Sequence, residues 1–337
     1  MSAAAIRKHY AAMGETILEH LSPRGREALD FFHVDSWEQE GNLWTGMFLD
    51  EFRKRRGYDL TPYLPALGGR IVRDGRTTDR VLWDYRRTIG DLHIDHHFAE
   101  LAALCHQHGI KLSAQAGHFF QANMDTIGSV AEADYPSGEF WNRGRGSAGR
   151  DIRNTVKDAA SAANVYGKDF PLTESFTCGQ WHQLWVAPLD LKKLGDYAFS
   201  EGVRRMFIHG MWMDPEVGNR PLGYSWGTTG IDVGPDITWM PDGRPFFDYL
   251  ARCQYVLQRG VVDNDVLYFY GDGFPNITPK RNELPLTLPA GRDYDATDAR
   301  ALRTMAGVED GRIVLPHGAT YRVLLLPPRD TMQPETL

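Results

Sequence analysis

Cysteine is scarce in this chain, with three in 337 residues. Cys105, Cys178 and Cys253 are too few and too widely spaced for a disulfide framework or a cysteine-based zinc site. Long apolar runs are missing as well. No stretch approaches the ~20 consecutive apolar residues of a membrane-spanning helix, so no membrane partner is expected. The opening segment MSAAAIRKHYAAMGETILEHL has the spacing of an amphipathic helix. It lacks the continuous apolar centre of a signal peptide, so none is read there. There is also no extended basic block, and the formal net charge is -7. The densest basic segment, FRKRRGYD at 52–59, reads as the solvated end of a helix, and no nucleic-acid partner is expected. Nucleophile-elbow, phosphate-loop, HExxH and dinucleotide fingerprints are absent, as are internal repeats and low-complexity tracts. Oligomeric state is left open.

What is present is a folded composition with a surplus of aromatics. Hydrophobic residues at 42% against 24% charged fit a globular chain. Aromatics at 12%, including nine Trp, suit a surface that handles sugars.

One syntax recurs along the chain: a helical pattern stops at Gly, a short apolar strand follows, and a polar residue stands near its end. The longest helix is predicted over 79–108. Val81, Leu82, Tyr85, Ile89, Leu92, Leu101, Leu104 and Cys105 form its apolar stripe, and Gly109 supplies a left-handed stop. The strand 110–116 then leads to Gln115 and His118. A second helix is predicted over 151–166, stopped at Gly167, with strand 170–174 ending on Glu174. A third opens at Pro188, stops at Gly202 and leads into 203–209 with His209. Upstream, strand 29–34 delivers Asp35 and Glu38 ahead of a helix over 45–56. A last helix is expected over 243–259.

Alternating strands and helices mean βα units and a mostly parallel sheet. Right-handed crossovers put all the strand C-termini on one side, which in a (β/α)8 barrel is the active-site face. The expected fold is therefore an α/β TIM-type barrel. About five of its strands can be counted, so it is read as incomplete at its N-terminal side. Residues 1–260 form that barrel core. Residues 261–337 form the start of a second α/β domain, with a Gly- and Pro-rich loop at 271–289, strands at 266–270 and near 313 and 323–326, and a helix near 297–306. Asp35, Glu38, Gln115, Glu174 and His209 are expected at one mouth.

Cleaving a glycosidic bond takes two carboxyl groups, one protonated toward the leaving oxygen and one ionised. Three segments offer carboxylates beside aromatics: HVDSWE at 33–38, PSGEFW at 136–141 and TESFT at 173–177. Aromatic faces stack on sugar C–H faces, and a nearby ring raises a carboxyl pKa by desolvation. Each segment also has a plainer reading. Asp35 and Glu38 could cap the following helix. Glu139 could be a loop carboxylate paired with Arg143 or Arg145, and His209 a core histidine. Trp181, Trp185 and Trp212 divide between core and substrate contact. Cys178 reads as a small buried residue or, against that, a nucleophile. His93, His96 and His97 have metal-site spacing, but no carboxylate motif accompanies them, and they read as a solvated helix face.

The succession HVDSWE, WTGMFLDEFRKRRGYDLTPYLPAL, DYPSGEFW, AASAANVYGK and LTESFT resembles glycoside hydrolase family 106 over about 28–260. The tail, including GRIVLPHGATYRVLLLP, looks like the start of the α/β domain that follows the barrel there. The resemblance implies an inverting, calcium-dependent α-L-rhamnosidase acting on a carbohydrate. It implies Glu38 as general acid and Glu174 as general base, and Glu139 as a further site carboxylate and calcium ligand, with Asp35 a weaker ligand candidate; Asp35, Trp37, Glu139, Trp141 and His209 are read as substrate-binding residues. Members are usually much longer and commonly exported, so early strands and any export signal are expected upstream of Met1. The alternatives are a barrel glycosidase of other specificity, β-galactosidase-like, and a chain that binds carbohydrate without cleaving it.

Overall fold

The computed structural model describes residues 1–38, 43–117, 124–142, 154–178, 186–210, 230–231, 233–234 and 237–337. His118, Arg143, Arg145, Trp181, Trp185 and Trp212 lie outside the described residues.

Five strands, β1 (Phe31–Val34), β2 (Lys111–Gln115), β3 (Tyr135–Asn142), β4 (Leu172–Cys178) and β5 (Arg205–Ile208), form one sheet in sequence order. All of its pairs are parallel. Helices connect them, as βα syntax requires: Gly75–His93 and its continuation, Asn154–Tyr166 and Pro188–Ser200. The sheet is strongly curled. The His33 ring of β1 packs edge-on against Phe207 of β5, with centroids 5.1 Å apart. The first and last strands thus meet across the concave face. Among the described residues, no strand pairs with the outer edge of β1 or β5. The fold is an α/β half-barrel of five strands.

Most elements lie where periodicity puts them, with instructive shifts. The long helix starts at Gly75, because Asp74 caps it by accepting the Thr77 amide at 2.7 Å. It changes to π-helical hydrogen bonding over Ile94–Ala99 and resumes as Glu100–Gln107. Gly109 and Gly167 have φ of +69° and +66°, which explains why both helices stop there. The expected solvated helix face at His93 is not found, since His93 is fully buried. The basic helix Phe48–Arg56 is also less solvated than expected. Phe52 is in the core, Arg55 pairs with Glu51 and Asp95, and Arg56 pairs with Asp91. Cys178 is buried and its thiol is pushed up to about 11 by that burial, so the plainer reading holds for it.

A second parallel sheet consists of β6 (Val266–Phe269), β7 (Tyr294–Thr297) and β11 (Val323–Leu325), in the order β11-β6-β7. Three antiparallel strands, β8 (Gly307–Glu309), β9 (Arg312–Val314) and β10 (Thr320–Tyr321), lie beside it. Between the two parallel sheets runs Asn154–Tyr166. Its buried Ala159, Ala160, Ala162 and Ala163 allow close approach on both sides. At one end Thr155 Oγ bonds both backbone groups of Glu139, at 3.1 and 2.9 Å. Toward the other, Asn164 donates to Asp295 of β7 at 2.9 Å. Gly138 is required at the first contact, because a Cβ there would lie 2.2 Å from the Thr155 carbonyl oxygen.

Candidate active site

Register partners on parallel strands face the same way. Glu139 of β3 pairs with Glu174 of β4, and Glu174 with Phe207 of β5. Phe207 meets His33 inside the curl, so all four residues share the concave face. Gln115, the last residue of β2, donates to Glu174 Oε2 at 2.9 Å. His209, just after β5, bonds Glu174 Oε1 through Nδ1 at 3.0 Å.

Glu174 does not end its strand as expected; it is the third residue of β4, which continues to Cys178. The extension contains a break in register: Glu139 pairs with Glu174, but Trp141 pairs with Thr177. The extra residue on β4 is accommodated at Phe176, whose φ is +66°, an outlier for a bulky side chain. Phe176 itself is fully buried against Phe140. The break turns Thr177 onto the concave face, where its hydroxyl bonds Glu174 Oε1 and lies 3.3 Å from His209 Nδ1. Neither Thr177 nor His33 was identified from the sequence. A left-handed Phe has no sequence signal, and His33 looked like one of several residues preceding Asp35.

These partners separate the two carboxyl groups. For Glu174, burial raises the pKa, but the hydrogen bonds from His209, Thr177 and Gln115 outweigh it and hold the group below the usual carboxylate value. Glu139 is 3% exposed. Its carboxyl is pushed up to about 8 by burial and the Glu174 charge, with Asp35 and Glu38 adding to that and Trp141 opposing it. His209 is raised by its hydrogen bond to Glu174 against the effect of burial, with the charges of Asp35 and Glu139 adding. His33 is lowered by burial, opposed by Asp35 and Glu174. At neutral pH the arrangement is one ionised and one neutral carboxyl on neighbouring strands.

The remaining expected residues are at the mouth. Asp35 and Glu38 are exposed just past β1, and Ser36 Oγ donates to Glu38 at 2.9 Å. Both add to the upward shift of the Glu139 carboxyl. Trp37 is held by a parallel bridge to Gly117, past the end of β2. Trp141 is partly buried two residues beyond Glu139. The structure thus brings Gln115, Glu139, Glu174 and His209 together on one face, with Asp35 and Glu38 just past β1, while Trp37 packs beside Phe32 and Val34 against the apolar cluster of the helix layer. Calcium needs roughly 6–8 oxygen ligands. Among the described residues, no group of three or more His, Cys, Asp or Glu side chains could hold a metal ion. No chemical step is therefore routed through an ion.

Comparison with known proteins finds relatives over the whole of this chain. The family model of glycoside hydrolase family 106, described as alpha-L-rhamnosidase, matches residues 1–337. A curated protein of Formosa agariphila, provisionally named beta-glucuronidase, is 35% identical over 338 residues, covering 100% of this chain and 28% of its own length. The solved structure of a rhamnosidase from Novosphingobium sp. PP1Y matches with a TM-score of 0.84 at 28% identity, covering 99% of this chain and 32% of that one. The chain thus spans less than a third of either relative.

Proposed function

The chain belongs to glycoside hydrolase family 106, and we propose that it carries the catalytic face of an inverting hydrolase that removes terminal α-L-rhamnose. The observation that carries this reading is Glu174, a buried carboxylate kept ionised by His209, Thr177 and Gln115 at the centre of the concave face. A base that activates water has to be charged at working pH, and this one is.

Glu38 is proposed as the acid rather than Glu139, although Glu139 holds its proton. Neighbouring strands lie ~4.8 Å apart, which sets Glu139 beside Glu174. Inversion needs carboxyls about 6.5–9.5 Å apart, on opposite sides of the sugar with a water between. Glu38, in the segment just past β1, is proposed to approach from the far side. Glu139 then lines the site with Asp35, Trp37, Trp141 and His209. For calcium, we propose Glu139 as one ligand. Ion binding would expel its proton, so calcium titrated at pH 7 should release protons, measured in buffers of differing ionisation enthalpy.

The sheet supports the rest of a (β/α)8 barrel. Four strand steps separate β1 from β5, yet His33 meets Phe207 across the axis, as expected when four steps make half a turn of eight. Strands supplied elsewhere in the enzyme would close it. Residues 1–260 are proposed as the barrel portion and 261–337 as part of a second α/β unit.

A glucuronide reading, prompted by the name of the Formosa relative, fits less well. A uronate calls for a cation, whereas among the described residues the charges that most affect Glu139 come from carboxylates. Glu174→Gln should abolish turnover of 4-nitrophenyl α-L-rhamnoside, and the first-formed sugar should be the β-anomer by NMR. Turnover by the Gln variant, or an α-anomer, would defeat the proposal.

A further inference from the structure

Two histidines of the long helix lie against Trp37. The rings of His93 and His97 meet the indole edge-on, with centroids 4.7 and 5.1 Å away and interplanar angles of 60° and 79°. They do so where the helix turns from α to π, a distortion that recurs at functional sites. On its other side His93 faces Phe274, 6.2 Å away in the loop after β6. His93 is fully buried, and among the described residues neither ring nitrogen has a hydrogen-bond partner. What it offers its surroundings is therefore the ring itself, in edge-to-face contact. An aliphatic side chain of similar size would fill the space without orienting the indole.

We propose that His93 is a positioning residue that, with His97, sets the orientation of Trp37 as the platform on which the substrate ring rests. Burial pushes the basicity of both imidazoles down, to about 3 for His93 and about 4 for His97, so both contacts are made by neutral rings at neutral pH. The proposal rests on the glycosidase reading of the face beside Trp37.

The test is a double-mutant cycle between His93 and Trp37. His93→Leu should raise KM for the aryl rhamnoside roughly tenfold, with kcat changed less than about threefold, because a tilted platform weakens sugar contact. His93→Phe, which keeps a ring, should restore most of the loss. In a Trp37→Phe background His93→Leu should have little further effect. An unchanged KM, or an equal rise without Trp37, overturns the proposal. If His93→Leu does not fold, His97→Leu is put through the same cycle with the same outcomes. Should no rhamnoside be turned over, the glycosidase reading is what has failed. The emission of Trp37, isolated by difference from Trp37→Phe, then decides: a shift on His93→Leu supports positioning, and no shift overturns it.

Discussion

Thr177 hydrogen-bonds the carboxylate of Glu174 from three residues along the same strand. In regular β-structure those two side chains would point to opposite faces. They meet because Phe176 takes a left-handed conformation between them. The strain is kept in place by packing against Phe140, and it gives the buried carboxylate an extra donor.

Thr177→Val should therefore raise the pKa of Glu174 by removing one of the bonds that stabilise its charge. The acid limb of kcat/KM should move upward by about one pH unit, the equivalent of one modest hydrogen bond. Thr177→Ser should leave the limb near its original position. A pH–rate profile of the three proteins decides it.

Glu139 should make stability depend on pH in the opposite sense to an ordinary surface carboxylate. Its folded pKa of about 8 exceeds the usual 4.5, so the folded state holds a proton that the unfolded chain releases. Stability from this group is complete below pH ~4.5 and is lost as pH rises toward 8. Glu139→Gln should melt higher than the parent at pH 8, by an amount on the order of a few kcal/mol. Melting curves at pH 5 and pH 8 give the comparison.

Gly138→Ala should destabilise by ~3 kcal/mol or prevent folding, since the new methyl meets backbone rather than a side chain that can move. Urea denaturation measures it.

Arg87 bridges Asp91 at 2.8 Å and Asp125 at 2.7 Å and also bonds the Gly273 carbonyl at 3.1 Å. Arg87→Ala strands buried Asp125 without its cation. It should cost ~3–5 kcal/mol, read out by the same denaturation.

Periodicity located the long helix, the alanine-rich helix and four of the five barrel strands to within a few residues, because each buries one stripe or both faces. It failed where local chemistry and tertiary context diverged. Pro136 and Gly138 argue against a central strand, yet β3 is central. Gly138 is there for the close approach of Thr155, which no local window reveals. Glu139 could be read as a loop carboxylate paired with a neighbouring arginine; only strand pairing shows it beside Glu174. The burial of His93 was hidden because a histidine at helical spacing looks the same whether it faces water or the indole of Trp37.

The alanine-rich segment between the sheets has a mechanical consequence. Thr155 fastens it to the backbone of Glu139, and Asn164 fastens it to Asp295. It works like a shared keel, so the C-terminal sheet cannot be pulled loose without dragging a reactive-face carboxyl out of line. Damage far from the sugar would then be felt as lost chemistry.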